Sequence, residues 1–202
     1  MRPSPEATSP RRGRPRSERS RQAVLRAANE LLQLRGLSGV SVDEIAARAG
    51  VSKATIYRWW SSKEEVALEA FLTALGGVEA LSADTGSLAG DLLAGMRARI
   101  RLLTQEPSLA RTHAGLVARG QEDPAFAESY HRLVMAPLRT HAREVFQRAI
   151  GRGEIPAGAD VDTALDLLFG AIYHRLWQSY GRLGDRFART CVDIVVRGLS
   201  AA

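Results

Sequence analysis

The sequence predicts an all-α fold: a compact three-helix head carried by a larger helical body, about nine helices in total. Three observations lead there. Apolar residues recur at spacings of three and four along almost the whole chain, and strand-like alternation is nearly absent. The breaks between these segments carry helix punctuation, with Ser or Asp before a segment, Gly after it and Pro in first turns. The 202 residues, 45% hydrophobic, suffice for one or two domains with a real core, yet contain no run of 18 apolar residues.

In chain order, residues 1–16 hold Pro3, Pro5, Pro10, Pro15 and the cluster Arg11, Arg12, Arg14, Arg16, with almost nothing apolar. Such a segment cannot bury enough surface to order itself, so a disordered basic arm is expected. RRGRPR resembles arginine arms that enter narrow minor grooves; a solubilising tail is the competing reading. Its prolines and Glu6 oppose an amphipathic transit helix. The first helix is expected from about Ser17 to Arg35, ending at Gly36 and burying Val24, Ala27, Ala28, Leu31 and Leu32.

Residues 40–63, VSVDEIAARAGVSKATIYRWWSSK, carry the most information. Ser41 and Glu44 have the spacing of a capping box, and Val40 and Ile45 that of a hydrophobic staple. Gly50 stands where the helix must stop in a left-handed conformation. Ser52 then caps a second short helix. Ile45, Ala49, Val51, Ile56 and Trp60 are placed to lock the two helices together, Ile56 and Trp60 sharing a face at a spacing of four. Thr55, Arg58 and Trp59, flanked by Tyr57, are left to face outward. This is the grammar of a DNA-binding helix-turn-helix.

Charge supports that reading. The chain has 28 Lys+Arg and 22 Asp+Glu, a net charge of +6. Residues 1–64 account for +7 and residues 65–202 for −1. A merely solvated face has no reason to concentrate the excess beside the motif, whereas a polyanionic partner does.

Ser61 or Ser62 caps a fourth helix through Val66, Leu68, Phe71, Leu72 and Leu75, stopped by Gly76-Gly77. Lys63 opens it, where a phosphate is welcome. The next helix spans Leu88 to Leu103, followed by one from Pro107 to about Arg119. Pro124 opens a long helix to about Ile150, which Pro137 should kink. After the loop 151–159, Asp160 caps an apolar helix to Tyr180, and Asp185 a last one to about Leu199. The expected division is an arm at 1–16, a helix-turn-helix domain at 17–62, and an effector-binding and dimerisation domain at 63–202, with 63–77 as connecting helix.

The stretch from about Ser17 to Leu75 resembles the DNA-binding head of the TetR family of bacterial transcriptional regulators. The resemblance rests on the Ser41–Glu44 box, Ile45-Ala46, Ala49-Gly50-Val51-Ser52, Thr55, Ile56-Tyr57, Trp60 and Lys63-Glu64-Glu65. GEIPAGAD before an apolar helix is also similar to many C-terminal domains of that family. The resemblance implies a homodimer built by the last two long helices and an effector pocket between the middle helices. It puts recognition-helix contacts on Lys53, Ala54, Thr55, Tyr57, Arg58 and Trp59, with phosphate contacts including Tyr57 and Lys63. The full expected DNA-contacting set is Arg11, Arg12, Arg14, Arg16, Ser41, Lys53, Ala54, Thr55, Tyr57, Arg58, Trp59 and Lys63. Asp43 departs from members with a basic base-reading residue there: it accepts from cytosine or simply starts the helix.

The dimer face is also expected from spacing. Leu165, Leu168, Phe169, Ile172 and Leu176, with Trp177, repeat at three and four in one helix, and Val192, Val195, Val196 and Leu199 in the last. Candidate pocket residues are Met96, Ile100, Leu103, Thr112, His113, Leu116, Tyr130, Val134, Phe169, Tyr173, His174 and Trp177. Arg97, Arg99 and Arg101 read as a solvated or interdomain face.

The function these observations imply is a ligand-responsive regulator, a repressor that binds a palindromic operator as a dimer and is released by a small molecule. An architectural DNA binder without an effector is the alternative. No nucleophile elbow, phosphate loop, zinc-protease motif or dinucleotide fingerprint occurs, so no enzyme is expected. No cofactor, metal or membrane partner is expected, and the location is expected to be the bacterial cytoplasm. Cys191, the single cysteine, forms no intrachain disulfide and suits a core or interface position.

Overall fold

The computed structural model describes residues 14–76 and 83–200, apart from the side chains of 14–17. The head comprises α1 (Arg14–Arg35), α2 (Val42–Ala49) and α3 (Lys53–Tyr57), and α4 (Lys63–Ala74) leads out of it. The body comprises α5 (Leu88–Gln105), α6 (Pro107–Glu122), α7 (Pro124–Tyr130), α8 (Ala136–Gly151), α9 (Val161–Trp177) and α10 (Asp185–Ser200). With α7 and α8 counted as one rod, nine helices and no strands occur among the described residues.

The caps form as their spacing predicts. Ser41 Oγ accepts from the Glu44 N–H at 3.3 Å, and the Ser41 N–H donates to the Glu44 carboxylate at 3.2 Å. Gly50 takes φ +66°, a left-handed turn open to glycine at little cost. Ser52 accepts from the Thr55 N–H, and Ser62 rather than Ser61 caps α4 through the Glu65 N–H. One boundary and one turn differ from expectation. α1 starts at Arg14, because Pro15 suits a helix's first turn, so Arg14 and Arg16 open a helix instead of ending a disordered arm. The rest of the predicted arm, including Arg11 and Arg12, lies outside the described residues. At Pro137 the rod adopts a π-turn (His131–Met135), with the Ala136 N–H reaching the His131 carbonyl. The wider turn accommodates a residue that has no N–H to give the ladder.

Two apolar cores result. Val24, Leu25, Ala28, Leu31, Leu32, Val40, Ile45, Ile56 and Trp60 fill the head. The body core gathers around α5, which packs against α6, α8, α9 and α10. α4 belongs to both: Val66, Ala67 and Ala70 enter the head core, and Leu68 and Phe71, with Leu75 at its C-cap, the body core. A helix buried on both sides cannot shift without disturbing close-packed neighbours at each end.

The body core corrects the expected dimer face. Leu165, Leu168, Ile172, Val192 and Val195 are buried within the subunit, against its own helices, so no second copy can cover them. Phe169, Leu176, Val196 and Leu199 are half-buried. The large apolar side chains left outward on these helices are Leu167, 57% exposed, Ile194, 63% exposed, and Trp177, 43% exposed at the end of α9.

The 151–159 loop is anchored to the start of α5. Glu154 accepts from the Leu88 N–H at 2.7 Å, satisfying a first-turn donor with no partner inside the helix, and it pairs with Arg152 at 2.5 Å. The backbone bond and then the Arg152 bond hold the Glu154 carboxyl below its ordinary value of 4.5. A depressed folded value means that the carboxylate's contribution is complete at neutral pH and is lost as pH falls below 4.5 through the folded value. We therefore expect Glu154→Gln to lower the melting temperature at pH 7, and the gap to the wild type to close as the pH drops below 4.5 through the folded value. A gap that stays constant over that titration contradicts the anchor.

Candidate nucleic-acid interface and internal cavity

In the turn that ends α3, the chain continues helically, the Trp60 N–H reaching the Ile56 carbonyl at 3.1 Å. This carries Ile56 and Trp60 inward and turns Tyr57, Arg58 and Trp59 outward. Trp60 is only 4% exposed, and its indole N–H donates to Glu69 at 2.6 Å. Glu69 also receives the Arg21 guanidinium, so one carboxylate ties α1 and α4 to the end of the recognition helix. Trp59, 43% exposed, presents its ring outward with Arg21 5.7 Å from the ring centroid.

The polar residues of the motif differ in availability. Arg58 is exposed and makes no ion pair among the described residues. Lys53 is exposed but pairs at 2.5 Å with Asp43, which lies in the first turn of α2. Lys63 is half-buried and donates to the Val40 carbonyl at 3.2 Å, one of the three bonds an ammonium can make. Thr55 is half-buried, its hydroxyl 3.0 Å from that of Ser52, and Ala54 is exposed. Ser41 is engaged in the capping box. Lys53, Ala54, Tyr57, Arg58 and Trp59 are the exposed residues of this segment, a short helix and its following turn.

Within the body lies a cavity of about 410 Å³, open to solvent beside Asp166, Gly170, His174 and Trp177 and within the range of small-molecule sites. Six of the expected pocket residues line it: His113, Tyr130, Phe169, Tyr173, His174 and Trp177. The others do not: Met96, Ile100, Leu103, Thr112, Leu116 and Val134 are core residues, buried among neighbouring side chains on the correct helices but turned away from the space. The lining that spacing did not single out includes Leu75, Arg99, Met135, Leu138, Arg139, Ala142, Leu165 and Asp166.

His113 organises one wall. Its ring stacks on Phe71 at 5.3 Å, meets Tyr173 edge-on at 4.5 Å, and its Nε2 lies 2.7 Å from the Tyr130 hydroxyl. Burial and then the nearby Arg99 cation lower its pKa to about 4, so the ring is neutral at pH 7. Burial likewise raises the Tyr130 and Tyr173 phenols, which stay protonated donors.

Arg99 overturns the expectation of a solvated arginine face. Arg97 does lie outside, pairing with Asp185 at 2.5 Å, and Arg101 is exposed. Arg99, however, is only 4% exposed. The signal was present: Arg99 lies seven residues after Leu92, three after Met96 and four before Leu103, all on the buried stripe of α5. The general rarity of buried arginine outweighed that spacing.

Comparison with known proteins agrees with both halves. Residues 24–70 match the family described as bacterial regulatory proteins, tetR family, and residues 82–195 match the tetracyclin repressor-like C-terminal domain. The HTH-type transcriptional regulator YdeS of Bacillus subtilis is 35% identical over 192 residues, covering 95% of each chain. The DNA-binding transcriptional repressor TetR of Mycobacteroides abscessus is 33% identical over 184 residues, covering 90% of this chain and 94% of that one. The crystal structure of the TetR family regulator SCO0332 superposes with a TM-score of 0.76 at 35% identity, over 89% of this chain and 97% of that one. These relatives are regulators of transcription, not enzymes, and no helix among the described residues is long and apolar enough to cross a membrane. The outward recognition helix, the helical body and these matches lead to one conclusion: the chain belongs to the TetR family of bacterial transcriptional regulators.

Proposed function

We propose that the protein is a dimeric repressor whose two heads bind the half-sites of a palindromic operator and whose body cavity takes a small-molecule effector that releases it. The observation that carries the reading is the double membership of α4. Its Phe71 stacks on His113 and its Leu75 lines the cavity, while Val66, Ala67 and Ala70 pack into the head. An effector that fits the cavity better in one position of α4 than in another biases where the heads stand. Only differential affinity for the two positions produces that coupling. Half-sites one helical turn apart, about 34–36 Å, then accept one head spacing and reject the other. Arg58, Lys53 and Thr55 supply base discrimination, and Tyr57, Lys63 and the basic amino-terminal residues hold phosphates.

Dimerisation is assigned to the outer faces of α9 and α10. Leu167 and Ile194 are exposed there beside Gly170 and Gly198, whose lack of side chains lets a second pair of helices approach closely. Light scattering on the eluting protein should give about 44 kDa, twice the 21.9 kDa of one chain, and Ile194→Asp should halve it. Selection from a random DNA pool should enrich a palindrome held about 10³-fold or more above random sequence. A wild-type monomer at micromolar concentration, or a pool that stays unselected, refutes the scheme.

A further inference from the structure

We infer that the cavity is built for a hydrophobic monocarboxylate, with Arg99 as the group that binds its carboxylate. The inference rests on the reading of the cavity as the effector site and adds the ligand's chemical class.

Arg99 is a permanent cation, and it sits on the cavity wall at the centre of the body. Its Nη1 is buried without a hydrogen-bond partner, and no carboxylate among the described residues pairs with it. The acid nearest to hand on the same lining, Asp166, is held by Arg139 at 2.5 Å. Buried Asp91, on the same helix, accepts from Thr85 and faces Arg148 and Arg152 instead. The groups closest to Arg99 electrostatically are His113, Tyr130 and Tyr173, none of which carries negative charge at neutral pH. A buried charge left alone is costly, and natural folds pair such charges or keep them for a ligand.

The second observation is on the same wall. His113 Nδ1 is also buried without a partner, while its Nε2 is committed to Tyr130. Two unanswered polar groups thus face a space whose remaining lining is mainly apolar (Leu75, Leu138, Ala142, Phe169 and Trp177), with the paired Arg139 and Asp166 and the exposed His174 as its other polar members. That arrangement suits a molecule with one polar end and an apolar body. The anion is a carboxylate rather than a phosphate. One guanidinium matches one carboxylate in a planar two-bond fit, whereas a phosphate dianion calls for a second free cation. The other arginine of the lining, Arg139, is already engaged by Asp162 and Asp166.

The test uses the full-length protein and N-phenyl-1-naphthylamine, a neutral dye that fluoresces in apolar cavities. Two acids, 2-naphthoate and decanoate, compete against it beside their uncharged amides. On the wild type each acid should displace the dye at a concentration at least about tenfold below its amide, the difference expected of a charge-assisted hydrogen bond. Arg99→Met should abolish that preference, read as the ratio of acid to amide displacement within the variant itself. It should also melt no lower than the unliganded wild type, because it removes an unpaired buried charge. Arg99→Gln serves as the second variant, and the wild-type comparison stands without either. Equal displacement by acid and amide, or failure of both acids to displace, overturns the carboxylate assignment; a preference that survives Arg99→Met overturns the role of Arg99; each leaves the cavity reading standing. A wild type that does not take up the dye overturns the cavity reading itself, and the carboxylate assignment with it.

Discussion

Replacing Trp60 with alanine is expected to cost about 3–5 kcal/mol of stability, while the same change at the adjacent Trp59 should leave the melting temperature almost unmoved. Trp60 is buried in the head core, and its indole N–H is bound to Glu69. Truncation opens a cavity and leaves that carboxylate with only Arg21 as partner. The loss is a large share of the 5–15 kcal/mol that holds a typical domain together. Trp59 rests against Arg21 at the surface, 43% exposed. Trp59→Ala should therefore keep the fold and weaken DNA binding through lost contact surface. Thermal melts followed by circular dichroism, run beside operator-binding titrations, separate the two effects. Equal destabilisation by both substitutions contradicts the assignment of inner and outer faces.

The second large effect is expected at Arg58. Its guanidinium is exposed and has no acidic partner among the described residues, so contact with DNA breaks nothing inside the protein. Arg58→Ala should lose about 1–3 kcal/mol, roughly 5- to 150-fold, at the base pair it reads. Operators altered at that position should then bind the variant almost as well as the selected one. Lys53 behaves differently, because it must leave Asp43 before it reaches DNA. Lys53→Ala is thus the milder substitution, and Asp43→Ala should tighten binding by freeing the lysine and removing a negative charge. Competition titrations with single-base operator variants check all three. A loss at Arg58 that is uniform over every sequence makes it a phosphate contact instead of a base reader.

The internal site depends on packing more than on spacing. Leu103 and Arg99 lie four residues apart on one helix, yet the apolar residue is core and the charged one lines the cavity. On α9, Phe169 and Tyr173 line the same space as expected, while Leu165, expected at a subunit interface, also lines it from inside the subunit. Helical period identifies the side of a helix that avoids water. It carries no information on whether a neighbouring helix fills that side or leaves a gap.

The sequence by itself determined the local architecture of this protein. Capping residues, left-handed glycines and spacings of three and four act within a few residues of themselves, so the helix-turn-helix, the order of the helices and the outward turn of Arg58 and Trp59, flanked by Tyr57, are legible from neighbouring letters alone, whereas Thr55, expected in the same set, is half-buried against Ser52. Tertiary structure decided what depends on residues far apart in the chain. It buried Arg99 at the cavity wall, committed Lys63 to the Val40 carbonyl, and put Leu165, Leu168, Ile172, Val192 and Val195 in the subunit's own core instead of at its surface. Those outcomes follow from which helices meet, and burial is a property of the assembled neighbours, not of any one segment.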